Sequence, residues 1–165
     1  MEDDIRTVAE AHEASALPRS RAVHADPDAP ATAEQKPLPD AMCTRPADEK
    51  SPAEWAYERL ILYIQNFEEQ LDSDEEIAMG MIDGGAGLLR IEGIGFFAPD
   101  IVSFYGRDPS GGRMQLVQHV TQLNVTLRAL PKPKGEQKAQ RIGFRLARGL
   151  SEPDAGAGED ASKGG

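Results

Sequence analysis

Apolar positions recur along the middle of the chain with two different periods. Tyr57, Leu60, Ile61, Ile64, Phe67 and Leu71 fall three and four apart, the spacing of one face of an α-helix. Ser51-Pro52-Ala53-Glu54 precedes them as a capping box, in which the Ser51 hydroxyl accepts from the Glu54 amide and Glu54 reaches back to Ser51. Pro52 takes the first helical position, where its missing donor costs nothing. Trp55 and Leu62 lie off this stripe. They are either covered by a loop or tail, or form a second contact face for another subunit.

Beyond Asp72-Ser73-Asp74-Glu75-Glu76 the period changes to two. Ile77, Met79 and Met81 alternate with smaller residues up to the Gly84-Gly85-Ala86-Gly87 turn, and Leu89 and Ile91 alternate with Arg90 and Glu92, as in a strand with one wet face. Gly93 and Gly95 interrupt that run, and glycines inside a strand mark a bulge or sharp bend. Residues 101–105 predict the next strand, and Asp108-Pro109-Ser110-Gly111-Gly112 a hairpin turn leading to its partner. Residues 114–130 fit two descriptions. Leu116, Val120, Leu123, Leu127 and Leu130 suit a helix, whereas Val117, Val120, Thr121, Val125 and Thr126 favour strands. The hairpin signal favours two strands broken near Thr121-Gln122. After the basic loop 131–135, the alternation of Ile142, Phe144 and Leu146 with Arg141, Gly143 and Arg145 predicts a last, edge strand. One helix followed by five or six short strands makes an α+β fold: the helix packs on a strongly bent antiparallel sheet or a small Sm-like or SH3-like barrel.

Composition sets the limits of that fold. All nine aromatic residues lie between Trp55 and Phe144, and segments without large apolar side chains have little to offset their ordering entropy. Residues 51–150 are therefore expected to form a single domain, flanked by a disordered acidic Pro/Ala-rich tail (1–50) and a second disordered tail (151–165). The net charge of −10 across 165 residues counts against a surface that is everywhere an electrostatic trap for nucleic acid or anionic lipid. Its distribution is uneven: residues 52–106 hold 11 acids and 2 bases, residues 107–148 hold 2 acids and 9 bases. A single cysteine, Cys43, excludes an internal disulfide framework. No apolar run is long enough to span a bilayer. The acidic start Met1-Glu2-Asp3-Asp4 carries no apolar signal segment. The chain is read as soluble and cytoplasmic.

Fragments that imitate catalytic motifs lack the context that would make them work. Gly93-Ile94-Gly95-Phe96-Phe97-Ala98 has the lettering of a dinucleotide fingerprint, but Pro99-Asp100 and a strand follow where a helix N-terminus is needed. Gly106 to Gly111 has P-loop spacing without the Lys and Ser or Thr that hold phosphate and magnesium. Asp72, Asp74, Glu76 and Asp83 imitate a calcium loop, but Ile77 and Asp83 stand where Gly and a bidentate Glu are required. His119 is the one histidine inside the expected domain, and a structural hydrogen-bonding role is expected for it. An enzymatic reading would need His119 to meet a carboxylate such as Asp100 or Glu92 in a pocket. No catalytic group, metal or cofactor is called for.

Two resemblances follow from particular segments. Trp55-Ala56-Tyr57-Glu58-Arg59-Leu60, Asn66-Phe67-Glu68, Phe104-Tyr105-Gly106, residues 116–123, Ala129-Leu130-Pro131 and Arg141-Ile142-Gly143-Phe144 resemble an uncharacterised bacterial family, familiar from alphaproteobacteria, whose domain has no known function. That resemblance covers nearly all of residues 52–148 and implies domain limits without implying chemistry. A capped helix followed by residues 89–93, 101–104 and 115–120 is similar, in pattern, to Sm-like barrels of the bacterial Hfq type. Such barrels form rings through edge strands and bind RNA at ring faces. Of that family's Tyr-Lys-His-Ala segment only His119 matches, Val117 and Gln118 standing at the Tyr and Lys.

The expectation is a small non-catalytic interaction module whose partner is a protein or a second copy of itself. The alternative is an Sm-like RNA binder using the basic 107–148 half, with His119, Arg128, Lys132, Lys134, Arg141 and Arg145 as candidate binding residues.

Overall fold

The computed structural model describes residues 20–80 and 87–151. Three helices of different lengths, α1 (Asp40–Cys43), α2 (Pro52–Glu68) and α3 (Gly143–Ser151), accompany five strands: β1 (Glu75–Gly80), β2 (Leu88–Phe97), β3 (Ile101–Arg107), β4 (Arg113–His119) and β5 (Thr126–Pro131). The strands form one antiparallel sheet in the order β4-β3-β2-β1-β5. The sheet stays open, since β4 and β5 lie at opposite edges, so the barrel alternative falls and the bent-sheet reading stands. Among the described residues no helix is long and apolar enough to cross a membrane.

The sequence determines α2 directly. Ser51 is its N-cap, accepting from the Glu54 amide at 3.2 Å, with Pro52 at its start. The reciprocal half of the expected box is replaced by an ion pair, Glu54 Oε2 accepting from Arg45 at 3.1 Å. The predicted stripe faces inward: Ile61 and Ile64 are fully buried with Ala53 and Ala56, while Tyr57, Leu60, Phe67 and Leu71 pack at the margins. Trp55 and Leu62 are half-buried. With Leu38, Glu34, Arg21 and Tyr63 they line a cleft of about 330 Å³ beneath the chain that precedes the helix, which agrees with cover by a tail. The Tyr63 hydroxyl donates to Glu34. That bond holds the Glu34 carboxyl below its usual range and pushes the Tyr63 phenol up.

Residues 20–50, read from the sequence as part of a disordered tail, add packed structure to the domain. Met42 in α1 is 1% exposed, and Lys50 is buried. The Lys50 ammonium donates to Met42 O at 2.6 Å and to Glu58 Oε2 at 2.8 Å, and lies 4.3 Å from the centre of the Trp55 ring. Residues 1–19 and 152–165, the outer parts of the two expected tails, lie outside the described residues, as does the expected turn at 84–86.

In β2 the inward residues are Leu89 and Ile91, then Ile94 and Phe96: the apolar phase slips by one at Glu92-Gly93. The pairing with β3 slips there too, from Ile91 opposite Gly106 to Gly93 opposite Tyr105. An extra residue in one strand is a β-bulge, and it keeps Ile94 and Phe96 on the core side, where Phe96 meets Tyr57 with ring centres 5.0 Å apart. Opposite the bulge the backbone closes tightly. A Cβ on Gly106 would lie 1.9 Å from the Arg90 carbonyl oxygen. Gly106→Ala is therefore expected to force β2 and β3 apart and cost about 1–3 kcal/mol, the range of overpacking substitutions, readable as a lower urea midpoint with an unchanged slope.

The hairpin between β3 and β4 forms as predicted, with Gly111 at φ +92°, a conformation glycine adopts without strain. Asp108 accepts from Ser110 Oγ at 2.6 Å and Gly112 N at 2.9 Å, and those bonds hold its carboxyl below the usual value. Residues 114–130 resolve as β4, a 3₁₀ turn at Val120–Gln122 and β5, the two-strand reading. One element is corrected. The expected last strand is helix α3, packed beside α2. Three alternating positions cannot separate the two periods, since Ile142, Leu146 and Leu150 also recur every four residues, and all three meet the core while Phe144 is 68% exposed. The long helix α2 thus covers one face of the sheet, and α3 packs against α2 on that side.

Candidate functional site

The other face carries the exposed chemistry. Residues paired across neighbouring strands point to the same side of a sheet, so the register sorts the face into rows. One row crosses all five strands: Arg113 opposite Arg107, Arg107 opposite Arg90, Arg90 opposite Ala78, and Ala78 opposite Arg128. At the usual interstrand spacing this line of four arginines spans about 19 Å.

Two of the four are partly neutralised. Arg107 Nε donates to Glu92 Oε1 at 3.0 Å, and its Nη1 to Gly111 O. Arg90 Nη2 donates to Pro131 O at 2.9 Å, whereas its buried Nη1 stands 3.6 Å from Glu76 Oε1 and makes no hydrogen bond. Glu76 in turn accepts from Gln140 N at 3.2 Å. It is a buried residue of β1 and not of a loop, while Asp83 of the calcium-loop imitation lies outside the described residues. Arg113 and Arg128 are exposed, and among the described residues neither makes an ion pair or side-chain hydrogen bond.

Behind the arginines the rows lose their charge. Gln115, Tyr105 and Gly93 form the next; Val117, Ser103 and Gly95 the one after; His119, Ile101 and Phe97 the last. Tyr105 leans across β2, its ring atoms in contact distance of where a Cβ on Gly93 or Gly95 would stand, and Ser103 Oγ donates to its hydroxyl at 3.3 Å. Phe97 (77% exposed), Val117 (58%) and Tyr105 (44%) make this area apolar and open.

His119 closes β4. Its Nε2 lies 3.0 Å from Asp100 Oδ2 and its Nδ1 2.7 Å from Thr121 Oγ1, and the Thr121 amide donates to Nδ1 at 3.2 Å. An amide donor on Nδ1 makes that nitrogen the acceptor, so the network places the ring proton on Nε2, directed at Asp100. Carboxylate, imidazole and hydroxyl stand in the order of a hydrolytic triad. The arrangement is nonetheless local. His119 is the N-cap of the 120–122 turn, its own amide donates to Gln122 Oε1 at 3.1 Å, and the Val120 amide donates to Asp100 O at 2.7 Å. The His119 and Asp100 side chains are 41% and 43% exposed, which leaves them open to water at the sheet's end.

The six residues singled out from the sequence do not come together. Arg128 lies in the arginine row and His119 three rows away on the same face. Lys132 and Lys134 sit in the loop after β5, where the Lys132 amide donates to Asp74 O at 2.7 Å and its ammonium to Gln137 O at 3.1 Å. Arg141 is engaged structurally, donating to the carbonyls of Asp72 and Glu75. Arg145 is on α3, in the helical layer. The residues that share a row with Arg128 are Arg90, Arg107 and Arg113, with Tyr105 in the next row, and the signal that finds them is strand register. Among the described residues no three His, Cys, Asp or Glu side chains converge as a metal site would require.

These features define a two-layer α+β protein with helices on one face of an open sheet and an arginine-lined surface on the other. Residues 48–145 match a family of unknown function, DUF6173, and the chain belongs to that family. No curated protein and no solved structure matches it.

Proposed function

We propose that the protein is a non-catalytic interaction module in which the sheet face opposite the helices takes an anionic partner. The observation that carries this reading is the row Arg113-Arg107-Arg90-Ala78-Arg128. Acidic partners within the described chain reach its middle members and leave its two ends open. Arginine forks suit phosphate and carboxylate groups, and a linear row suits a linear polyanion. The half-exposed, turn-capping setting of His119 supports a structural role for it over a catalytic one. Self-association belongs to the same reading, because among the described residues β4 pairs on one side only and presents a seven-residue edge that carries the exposed Val117.

The test is titration of the full chain with short-chain inorganic polyphosphate at several salt concentrations. Binding is expected to weaken steeply with salt and to be lost in Arg113→Glu/Arg128→Glu, while Arg145→Glu, on the helical layer, binds as the parent does. No binding at low salt, or equal losses in both variants, would remove the reading.

A further inference from the structure

We propose that the anionic partner is a single-stranded nucleic acid, its phosphates held along the arginine row and its bases stacked on the adjacent aromatic surface; this rests on the reading of the sheet face given above. The second row supplies what a simple polyanion site would not need. Tyr105 lies two residues along β3 from Arg107, whose cross-strand partner is the open Arg113, so its ring stands within about one nucleotide's reach of a phosphate held at that end of the row. Gly93 and Gly95 carry no side chains, so the Tyr105 ring lies over the neighbouring strand and, 44% exposed, offers its outer face to a base. Gln115 stands opposite Tyr105, with Ser103 and the Tyr105 hydroxyl close by, which gives polar groups at the height of a base edge. Phe97, more than three-quarters exposed, extends the apolar surface to its far corner. Positive charge beside aromatic platforms is the general design of single-strand binding.

Two alternatives fit less of the face. A duplex keeps its bases stacked on one another and offers none to Tyr105. An acidic peptide would satisfy the arginines and leave the aromatic surface wet. The net charge of −10 does not oppose the assignment, because the acids of α2 lie on the helical side and are engaged: Glu58 with Lys50, Glu54 with Arg45, and Glu68 with backbone amides. On the sheet face Glu92 and Glu76 are matched by Arg107 and Arg90, leaving Arg113 and Arg128 as the cations for phosphate. Exposed charges separated by more than about 8 Å are largely screened at physiological salt.

The experiment is fluorescence anisotropy of the full chain with a labelled mixed-sequence single-stranded RNA and the same sequence as DNA. Their duplexes, inorganic polyphosphate and polyglutamate serve as competitors. Single strands are expected to bind more tightly than duplex or polyphosphate. Tyr105→Ala is expected to weaken single-strand binding about tenfold or more and leave polyphosphate binding unchanged, with Tyr105→Phe restoring it; unchanged melting curves would establish that these surface variants fold. If polyphosphate binds and single strands gain nothing over it, or Tyr105→Ala has no effect, the nucleic-acid assignment falls and the anion-binding face stands. Preference for polyglutamate overturns the assignment in favour of an acidic protein. If no polyanion binds, both fall together.

Discussion

Lys50→Ala is expected to destabilise the domain by about 3–5 kcal/mol, the usual consequence of removing one partner from a buried ion pair. The Lys50 side chain is 2% exposed and that of Glu58 11%, with nitrogen and oxygen 2.8 Å apart. Three groups depend on this ammonium: the Glu58 carboxylate, the Met42 carbonyl and the face of Trp55. Its loss leaves a carboxylate and a carbonyl in a dry site with nothing to donate to them. Against a total stability of about 5–15 kcal/mol for a domain of this kind, the loss is large enough to read as a shift in the urea midpoint. Lys50→Met combined with Glu58→Leu removes both charges and replaces them with apolar volume, and is expected to recover most of the deficit. If the single variant unfolds at the parent's midpoint, Lys50 is not a structural cation. The same logic bears on the domain boundary: a fragment cut at Ser51 would lose Lys50 and strand Glu58, whereas the family match begins at residue 48 and retains the pair.

What the sequence disclosed and what it hid divide along range and period. α2 was legible because a cap, a proline and six apolar positions agree over some twenty residues. The irregularity in β2 was legible as a bulge or bend because Gly93 and Gly95 interrupt the strand, and the pairing shows it to be a bulge. α3 was misread because Ile142, Phe144 and Leu146 are too few to fix a period. Its start is met from far away in the chain: the Glu68 carboxylate accepts from the amides of Ile142 and Gly143, a contact no local window shows. The candidate surface shows the same limit more sharply. Arg90 stands in the acidic half of the chain and Arg128 in the basic half, so charge blocks separated two residues that the register places either side of Ala78. Tyr105, read from the sequence only as the end of a strand, is turned outward by the alternation of β3 while Phe104 is fully buried. Reading faces from strand pairing, instead of charge from sequence blocks, is what brings arginines and aromatics into one surface.

Glu68→Ala is the second substitution with a large expected effect. Glu68 is 7% exposed at the end of α2, and its two oxygens accept from the amides of Ile142 and Gly143, the Ile142 bond measuring 3.0 Å. A carboxylate there satisfies amides that the start of a helix leaves without intrahelical partners, and opposes the positive end of the α3 dipole. The packing is close enough to require glycine at 143, since a Cβ would stand 2.6 Å from Glu68 Oε1 and 2.9 Å from Gln65 Cα. Each hydrogen bond to a charged group contributes about 1.5–3 kcal/mol, and alanine leaves both amides buried without an acceptor. A loss of about 3 kcal/mol or more is expected, concentrated in α3, whose other hold on the domain is the packing of Ile142, Leu146 and Leu150. Limited trypsin digestion reads this directly: cleavage after Arg145 and Arg148 is expected to accelerate strongly in Glu68→Ala while the sheet stays resistant. Glu68→Gln, which keeps one acceptor oxygen and turns an amide nitrogen toward the other N–H, is expected to fall between the two. Parent-like resistance in Glu68→Ala would mean that apolar packing alone holds α3, and that the carboxylate is incidental to the fold.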